Sequence, residues 1–191
     1  MINIKLAVSK EEKLTKRARR SRSKGHRGVN GICEIFSSWY EEFESFCPSF
    51  SSGAGKRFGQ AGDIATPPGF LLVVEAKNDE SWNTSQLICI VGRRGADSAF
   101  WKFWQQVLKA TADYNNNPNC KYTKYPCLIF TKNYDEYLIM LNIDSMPRFA
   151  SENLPDDCLI VHNPYGQFYI FELESFLSDM PKQALFNQET I

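Results

Sequence analysis

A chain of 191 residues, 43% apolar and 14% aromatic, has enough material for one packed domain, which excludes an intrinsically disordered protein. No apolar run approaches the roughly 20 residues that cross a bilayer, and Met1–Val8 is too short for a signal peptide, so a cytoplasmic protein without membrane contact is expected. The 22 basic and 22 acidic residues cancel, yet residues 1–28 hold ten Lys/Arg against Glu11 and Glu12, a surplus of eight that the rest of the chain must offset.

That surplus reads as a flexible basic arm over residues 1–25, on an acidic body. Arg17, Arg19, Arg20, Arg22 and Lys24 are its densest part, with Arg27 just beyond it, and such an arm suits phosphate binding, although composition alone equally fits a solvated tail or a targeting signal. From Val29 to Phe46, apolar residues recur at Val29, Ile32, Cys33, Phe36, Trp39, Tyr40, Phe43 and Phe46, the spacing of one helix face. Glu34 borders the stripe, where it either reaches the sheet edge or faces water. Pro48–Gly62 reads as a Gly/Ser-rich loop with a short strand near Lys56–Phe58. Its Gly53-Ala54-Gly55-Lys56 is not a phosphate loop, because Phe50 stands where the first glycine belongs, Arg57 replaces Ser/Thr and no helix follows.

The most informative stretch comes next: Gly62-Asp63-Ile64, then Pro67-Pro68-Gly69, then Phe70-Leu71-Leu72-Val73-Val74-Glu75-Ala76-Lys77-Asn78. It predicts an aspartate, a tight turn and a buried strand that ends in opposite charges. Strand side chains alternate between faces, so Glu75 and Lys77 project to the same side. Charges ending an apolar strand are costly unless they meet a metal, a partner or a substrate. The Pro-Pro-Gly turn can fold Asp63 back beside Glu75. Two carboxylates, with the carbonyl of Ala76, suit a hard divalent cation (Mg²⁺ or Mn²⁺), and Lys77 suits positioning water or stabilising developing negative charge. Glu-x-Lys by itself carries little information, as Glu11-Glu12-Lys13 shows. A second decoy, Pro155-Asp156 before Cys158-Leu159-Ile160-Val161, leads only to Glu172-Leu173-Glu174, without lysine.

Leu87–Val91 reads as a short strand or buried turn. Asp97 or Ser98 can cap a helix running to about Tyr114, whose Phe100, Trp101, Phe103 and Trp104 surround more than one face. Cys127–Phe130 and Tyr137–Leu141 read as central strands, followed by strands Leu159–Val161 and Phe168–Phe171 and a helix from Glu174 to about Met180. Of the six cysteines none forms Cys-x-x-Cys, and His26 and His162 lie far apart in sequence, so buried thiols are expected rather than zinc or redox chemistry.

These residues resemble the PD-(D/E)xK nucleases of the restriction-endonuclease-like fold, nearest the branch of archaeal Holliday junction resolvases and small phage endonucleases. The resemblance rests on Lys24-Gly25-His26-Arg27-Gly28, Glu34, Gly62-Asp63-Ile64, Glu75-Ala76-Lys77, Asn78-Asp79-Glu80-Ser81-Trp82 and a glutamine, Gln105 or Gln106, in the following helix. Gly62 stands where the motif has proline. The resemblance implies an α/β fold, a mixed sheet flanked by helices with an αβββαβ core over residues 26–145. Residues 146–191 would add C-terminal strands and a helix packed on the same domain.

It also implies a Mg²⁺-dependent deoxyribonuclease leaving a 5′-phosphate and a 3′-hydroxyl, placed in a host cytoplasm if phage-encoded. Asp63, Glu75, Lys77 and Glu34 would be catalytic, with Glu34 completing a second metal site or orienting a water. DNA would be held by the arm residues named above together with Lys56 and Arg57. A junction resolvase needs two sites facing exchanging strands, hence a homodimer, and the apolar surface from Phe100 to Leu108 offers an interface unless residues 146–191 cover it. An exonuclease, a nicking enzyme and a catalytically inactive DNA-binding protein remain as alternatives.

Overall fold

Val29, Ile32, Cys33 and Phe36 fall on one face of a helix because they recur at three- and four-residue spacing. In the computed structural model, which describes residues 25–41, 46–49, 61–78, 99–131, 136–146, 154–163 and 166–187, they sit on α1, residues 25–40. The helix starts earlier and ends sooner than the apolar pattern predicts. It stops at Glu41, whose φ of 66° is left-handed and whose N–H is hydrogen-bonded to the Ser37 carbonyl at 2.9 Å. Phe46 reaches the core from beyond the helix, stacked on Phe36 with centroids 4.9 Å apart.

Two short strands follow, β1 (Cys47–Pro48) and β2 (Ile64–Ala65), paired antiparallel. The main sheet has five strands: β3 (Leu72–Asn78), β4 (Tyr125–Thr131), β5 (Leu138–Asn142), β6 (Leu159–Asn163) and β7 (Gly166–Glu172), in the order β3-β4-β5-β7-β6. Among the described residues only β3 and β4 run parallel. The crossover between them contains α2 (Ala99–Asn115), the long connection that a parallel pair requires. The order α1-β1-β2-β3-α2-β4 is αβββαβ, and the mixed sheet with helices on both faces is a restriction-endonuclease-like α/β fold. The strands β6 and β7 and the helix α3 (Leu173–Asp179) extend that same sheet. The anticipated strands at 56–58 and 87–91 lie outside the described residues.

Strand alternation divides the core in two. Leu72, Val74, Cys127, Ile129, Ile139 and Leu141 face α1 and α3. Leu128, Phe130, Met140, Phe168 and Ile170 face α2, against Trp101, Trp104 and Val107. The aromatic face of α2 is therefore covered by its own chain, including β7, so the apolar surface that suggested a dimer is occupied within the chain; on α2, Leu108 stays 41% exposed. The C-terminal end closes the other face. Phe186 stacks on Tyr40 at 4.9 Å, Leu71 N–H donates to the Leu185 carbonyl at 2.9 Å, and Asn187 N–H donates to Gly69 at 2.8 Å. These bonds occupy residues 69–71, which is why β3 begins at Leu72 rather than Phe70.

Candidate active site

Leu72-Val73-Val74 is β-branched and aliphatic and buried on both faces, so this segment forms an interior-type strand although it lies at one end of the sheet. Its outer edge is lined by the segment that carries Asp63. Asp63 N–H donates to the Val74 carbonyl at 2.8 Å, and the Asp63 carboxylate accepts from Ala76 N–H at 3.0 Å. Ser49 holds the same segment from the far side: its N–H donates to the Asp63 carbonyl at 2.8 Å and its hydroxyl to the Gly62 carbonyl at 2.7 Å. Gly62 has φ of 79°, and a Cβ there would collide with the Val74 carbonyl, so only glycine lets the segment lie this close. A turn closed by Phe70 N–H on the Pro67 carbonyl at 3.2 Å, with Gly69 at φ 82°, returns the chain into β3. Proline second and glycine third is the arrangement of a type II turn.

Register fixes the rest. Glu75 pairs with Leu128 and Lys77 with Phe130, so both charged side chains emerge on the α2 face of the sheet. Lys77 Nζ lies 2.9 Å from Glu75 Oε1, 4.0 Å from Asp63 Oδ2 and 5.7 Å from the centre of the Phe103 ring. The three side chains are 14%, 32% and 20% exposed for Glu75, Asp63 and Lys77, wet enough to admit a ligand and dry enough to strengthen the field. Burial is the main force raising the Glu75 carboxyl above its ordinary 4.5. Asp63 adds to the rise, while the charge and hydrogen bond of Lys77 oppose it. Two acids are thus held together at a cost that one ammonium only partly offsets, an arrangement more typical of functional sites than of structural pairs.

The donor set fits a hard cation. Carboxylate oxygens of Asp63 and Glu75 converge at one strand end, and the Ala76 carbonyl leaves on the same edge as its N–H, toward Asp63. Among the described residues no three His, Cys, Asp or Glu side chains gather into a metal-holding group.

Glu34 is not brought to this place. The first turns of α1, with Gly25 and Gly28, pack beside Ala76, Lys77 and Asn78. Glu34 lies beyond Ile32, the last α1 residue to line that space. It faces a cavity of about 540 Å³ with Tyr137, Glu174 and Ser178, on the α1–α3 side of the sheet. Gln105 and Gln106 are exposed on α2, and Arg27 is exposed on α1. Arg17, Arg19, Arg20, Arg22, Lys24, Lys56, Arg57 and the run from Asp79 to Trp82 lie outside the described residues. Ser49, the residue that clamps Asp63, was not anticipated. Its only sequence signal is a hydroxyl residue fourteen positions before the aspartate, which no spacing rule reads.

The family described as phage putative PDDEXK endonuclease matches residues 20–187. No curated protein and no solved structure matches the chain. The match spans most of the 191 residues, so the chain belongs to this family and to the PD-(D/E)xK nuclease superfamily.

Proposed function

We propose that this nuclease hydrolyses DNA phosphodiester bonds internally, using a Mg²⁺ or Mn²⁺ ion held by Asp63, Glu75 and the Ala76 carbonyl. The observation that carries the assignment is the convergence of Asp63, Glu75 and Lys77 at the end of β3, with Lys77 Nζ within 4.0 Å of both acids. When bound, the ion supplies Lewis acidity, lowering the pKa of a water and neutralising charge on the scissile phosphate. The chain's own groups do the remainder. The Ala76 N–H fixes one carboxylate oxygen of Asp63, which leaves the other for a ligand. Glu75 holds Lys77 at 2.9 Å, so the ammonium is fixed beside the acids and can donate to a phosphate oxygen as negative charge develops. Phe103 shields that ammonium from water on the α2 side.

The basic arm supplies sequence-independent grip on phosphates. Deleting residues 1–23 leaves residues 25–40 of α1 in place and removes Arg17, Arg19, Arg20 and Arg22. Weaker binding and a flatter salt dependence are expected; equal salt slopes would assign the arm to something other than DNA.

Branched DNA is the finer reading. It rests on the Gly62-Asp63-Ile64 and Glu75-Ala76-Lys77 pattern, and it requires a two-fold dimer to place two sites on a four-way junction. The test is cleavage of four-way junction, flap, single-stranded and linear duplex DNA by the wild-type protein and by Asp63→Asn, with and without Mg²⁺. Paired symmetric cuts across the junction, absent from Asp63→Asn, support the whole reading. Degradation of linear duplex from its ends would replace it by an exonuclease, and full-rate cutting by Asp63→Asn would remove Asp63 from the chemistry.

A further inference from the structure

Lys124, at the start of β4, is a half-buried ammonium with no carboxylate partner among the described residues, an arrangement that needs a reason. Its Nζ donates to Thr66 Oγ1 at 2.7 Å and lies 5.0 Å from the centre of the Tyr114 ring. Its backbone is fixed on both sides by Asn115 at the end of α2, with N–H and carbonyl each 2.9 Å from the Asn115 amide. Burial lowers its pKa from 10.5 to about 8, against an opposing effect of Cys120. Beside it opens a cavity of about 360 Å³ whose walls include Thr66, Pro67, Tyr114, Lys121, Tyr122 and Lys124.

We propose that this cavity is a phosphate subsite that binds the DNA strand away from the scissile bond, with Lys124, Thr66 and Lys121 as its donors. The inference rests on the nuclease reading and extends it to residues that take no part in the chemistry. An ammonium has three donors, and among the described residues one is used, on Thr66. By accepting from Lys124, the Thr66 hydroxyl keeps its own hydrogen for a phosphate oxygen. Lys121 stands exposed at the mouth. Tyr114 and Tyr122 add aromatic faces of the kind on which a base or sugar rests.

The position is right for a strand that also crosses the site at Glu75. The segment that carries Asp63 along the edge of β3 carries Thr66 three residues later. Lys124 precedes the register partner of Leu72, whereas Glu75 pairs with Leu128. Four strand residues separate the two places, about 13 Å. Phosphates of one duplex strand advance about 3.4 Å each along the axis and lie about twice that far apart along the backbone, so the span covers about two to four phosphates, depending on how the strand crosses the surface.

The test is a walk of single methylphosphonate linkages, each removing one phosphate charge, through a bound duplex. Affinity is read by fluorescence anisotropy in chelator with the full chain, so binding is measured whether or not the chain cuts. One linkage, about two to four steps from the scissile position, is expected to weaken wild-type binding about tenfold, the scale of one charge-assisted hydrogen bond. Lys124→Met should bind as weakly as that, should be insensitive at that linkage, and should lose about one unit of salt slope. Lys121→Gln, altered at an exposed position where folding is not at stake, should show a smaller loss at the same linkage.

Lys124→Met should melt no lower than wild type, since a buried ammonium is itself a cost. Parallel titrations with 5′-phosphorylated and 5′-hydroxyl strands assign the phosphate: dependence on the end marks a terminal monoester, independence an internal diester, and either supports the subsite. Losses that simply add between Lys124→Met and every methylphosphonate would overturn it. So would a Lys124→Met protein of lowered Tm and unchanged affinity, which would make Lys124 a structural clamp. A wild type that does not cut but still shows a loss confined to one linkage, absent from Lys124→Met, would retire the nuclease reading and keep the subsite.

Discussion

The strands β3 and β7 end alike: Glu75-Ala76-Lys77 on one and Glu172-Leu173-Glu174 on the other, each an acid followed by a second charge two positions on. Their acids meet opposite fates. At β7 the chain turns directly into α3, and the Glu172 carboxylate accepts from Glu174 N–H at 3.0 Å and from Ser175 N–H at 2.6 Å, capping the helix. Burial pushes its pKa up, but the hydrogen bonds from Ser175 and Glu174 together outweigh that and hold it below the ordinary value. At β3 the acid accepts from a lysine side chain, and burial together with Asp63 holds its carboxyl above the ordinary value. A carboxylate satisfied by backbone N–H groups is settled in its charged form. One held against a second acid is only partly compensated by Lys77, and a further cation would stabilise its charged form. Identical residue types at equivalent strand ends are therefore told apart by what consumes their lone pairs.

The comparison breaks most visibly in cleavage. Glu75→Gln and Asp63→Asn should each lower the DNA cleavage rate by about 10²-fold or more, on the scale of removing one preorganised electrostatic group. Glu172→Gln and Glu174→Gln should cut at the wild-type rate. Circular dichroism should show all four folded. Addition of Mg²⁺ or Mn²⁺ should raise the Tm of wild type and of the β7 variants, and leave that of the β3 variants unmoved. A metal-dependent Tm rise in Glu75→Gln equal to wild type would remove Glu75 from the ligand set.

Gly62→Ala comes next in size. It alters neither acid, yet its Cβ would meet the Val74 carbonyl at a φ that costs an L-residue about 1–2 kcal/mol even without the clash. The Asp63 segment should lift from the β3 edge, so cleavage should fall by at least about tenfold, as expected when a catalytic group moves by an ångström. Tm should also drop. Full activity in Gly62→Ala would mean that the edge contact does not position Asp63.

Much of this was readable before any coordinates because strands alternate and turns have their own chemistry. The run from Leu72 to Lys77 could only be a strand with its two charges on one side, and Pro67-Pro68-Gly69 could only reverse the chain before it. The two core faces, however, could not be assigned, because alternation says which residues share a side and not which helix covers it. Glu34 illustrates the limit. Its helix phase was legible, but the part of α1 that abuts the end of β3 runs from Gly25 to Ile32, and which turn of a helix meets a strand end is set by packing that the apolar stripe does not encode. The two-residue strands β1 and β2 and the Ser49 clamp carry too little periodic signal to be read. The aromatic helix α2 advertised a partner, and the cover turned out to include Phe168 and Ile170 of β7, close in space and distant in sequence.

Smaller effects sharpen the structural half of the comparison. Loss of the cap in Glu172→Ala should cost about 1 kcal/mol, lowering Tm by about 2–4 °C for a chain of this size. Cleavage measured well below that Tm should stay at the wild-type rate. A fall in activity without a fall in Tm would connect α3 to the site in a way the hydrogen bonds do not.

The smallest expected effect is the most discriminating, because the two glutamates should respond to pH with opposite sign. The folded-state pKa of Glu172 is depressed, so its contribution is present above the unfolded value of 4.5 and is lost as pH falls through the folded value. That of Glu75 is raised, so its contribution is fully present below 4.5 and is lost as pH rises through the folded value. In chelator, where no ion compensates the acids, the Tm difference between wild type and Glu172→Gln should shrink toward acid pH. The difference between Glu75→Gln and wild type should instead grow in favour of the variant as pH rises toward neutrality, since the variant no longer confronts Asp63 with a second charge. Divalent metal should cancel the second trend and leave the first untouched. Parallel pH profiles for the two variants, with or without metal, would mean that Glu75 is as settled in its charged form as Glu172, and the electrostatic basis for a cation site at the end of β3 would be lost.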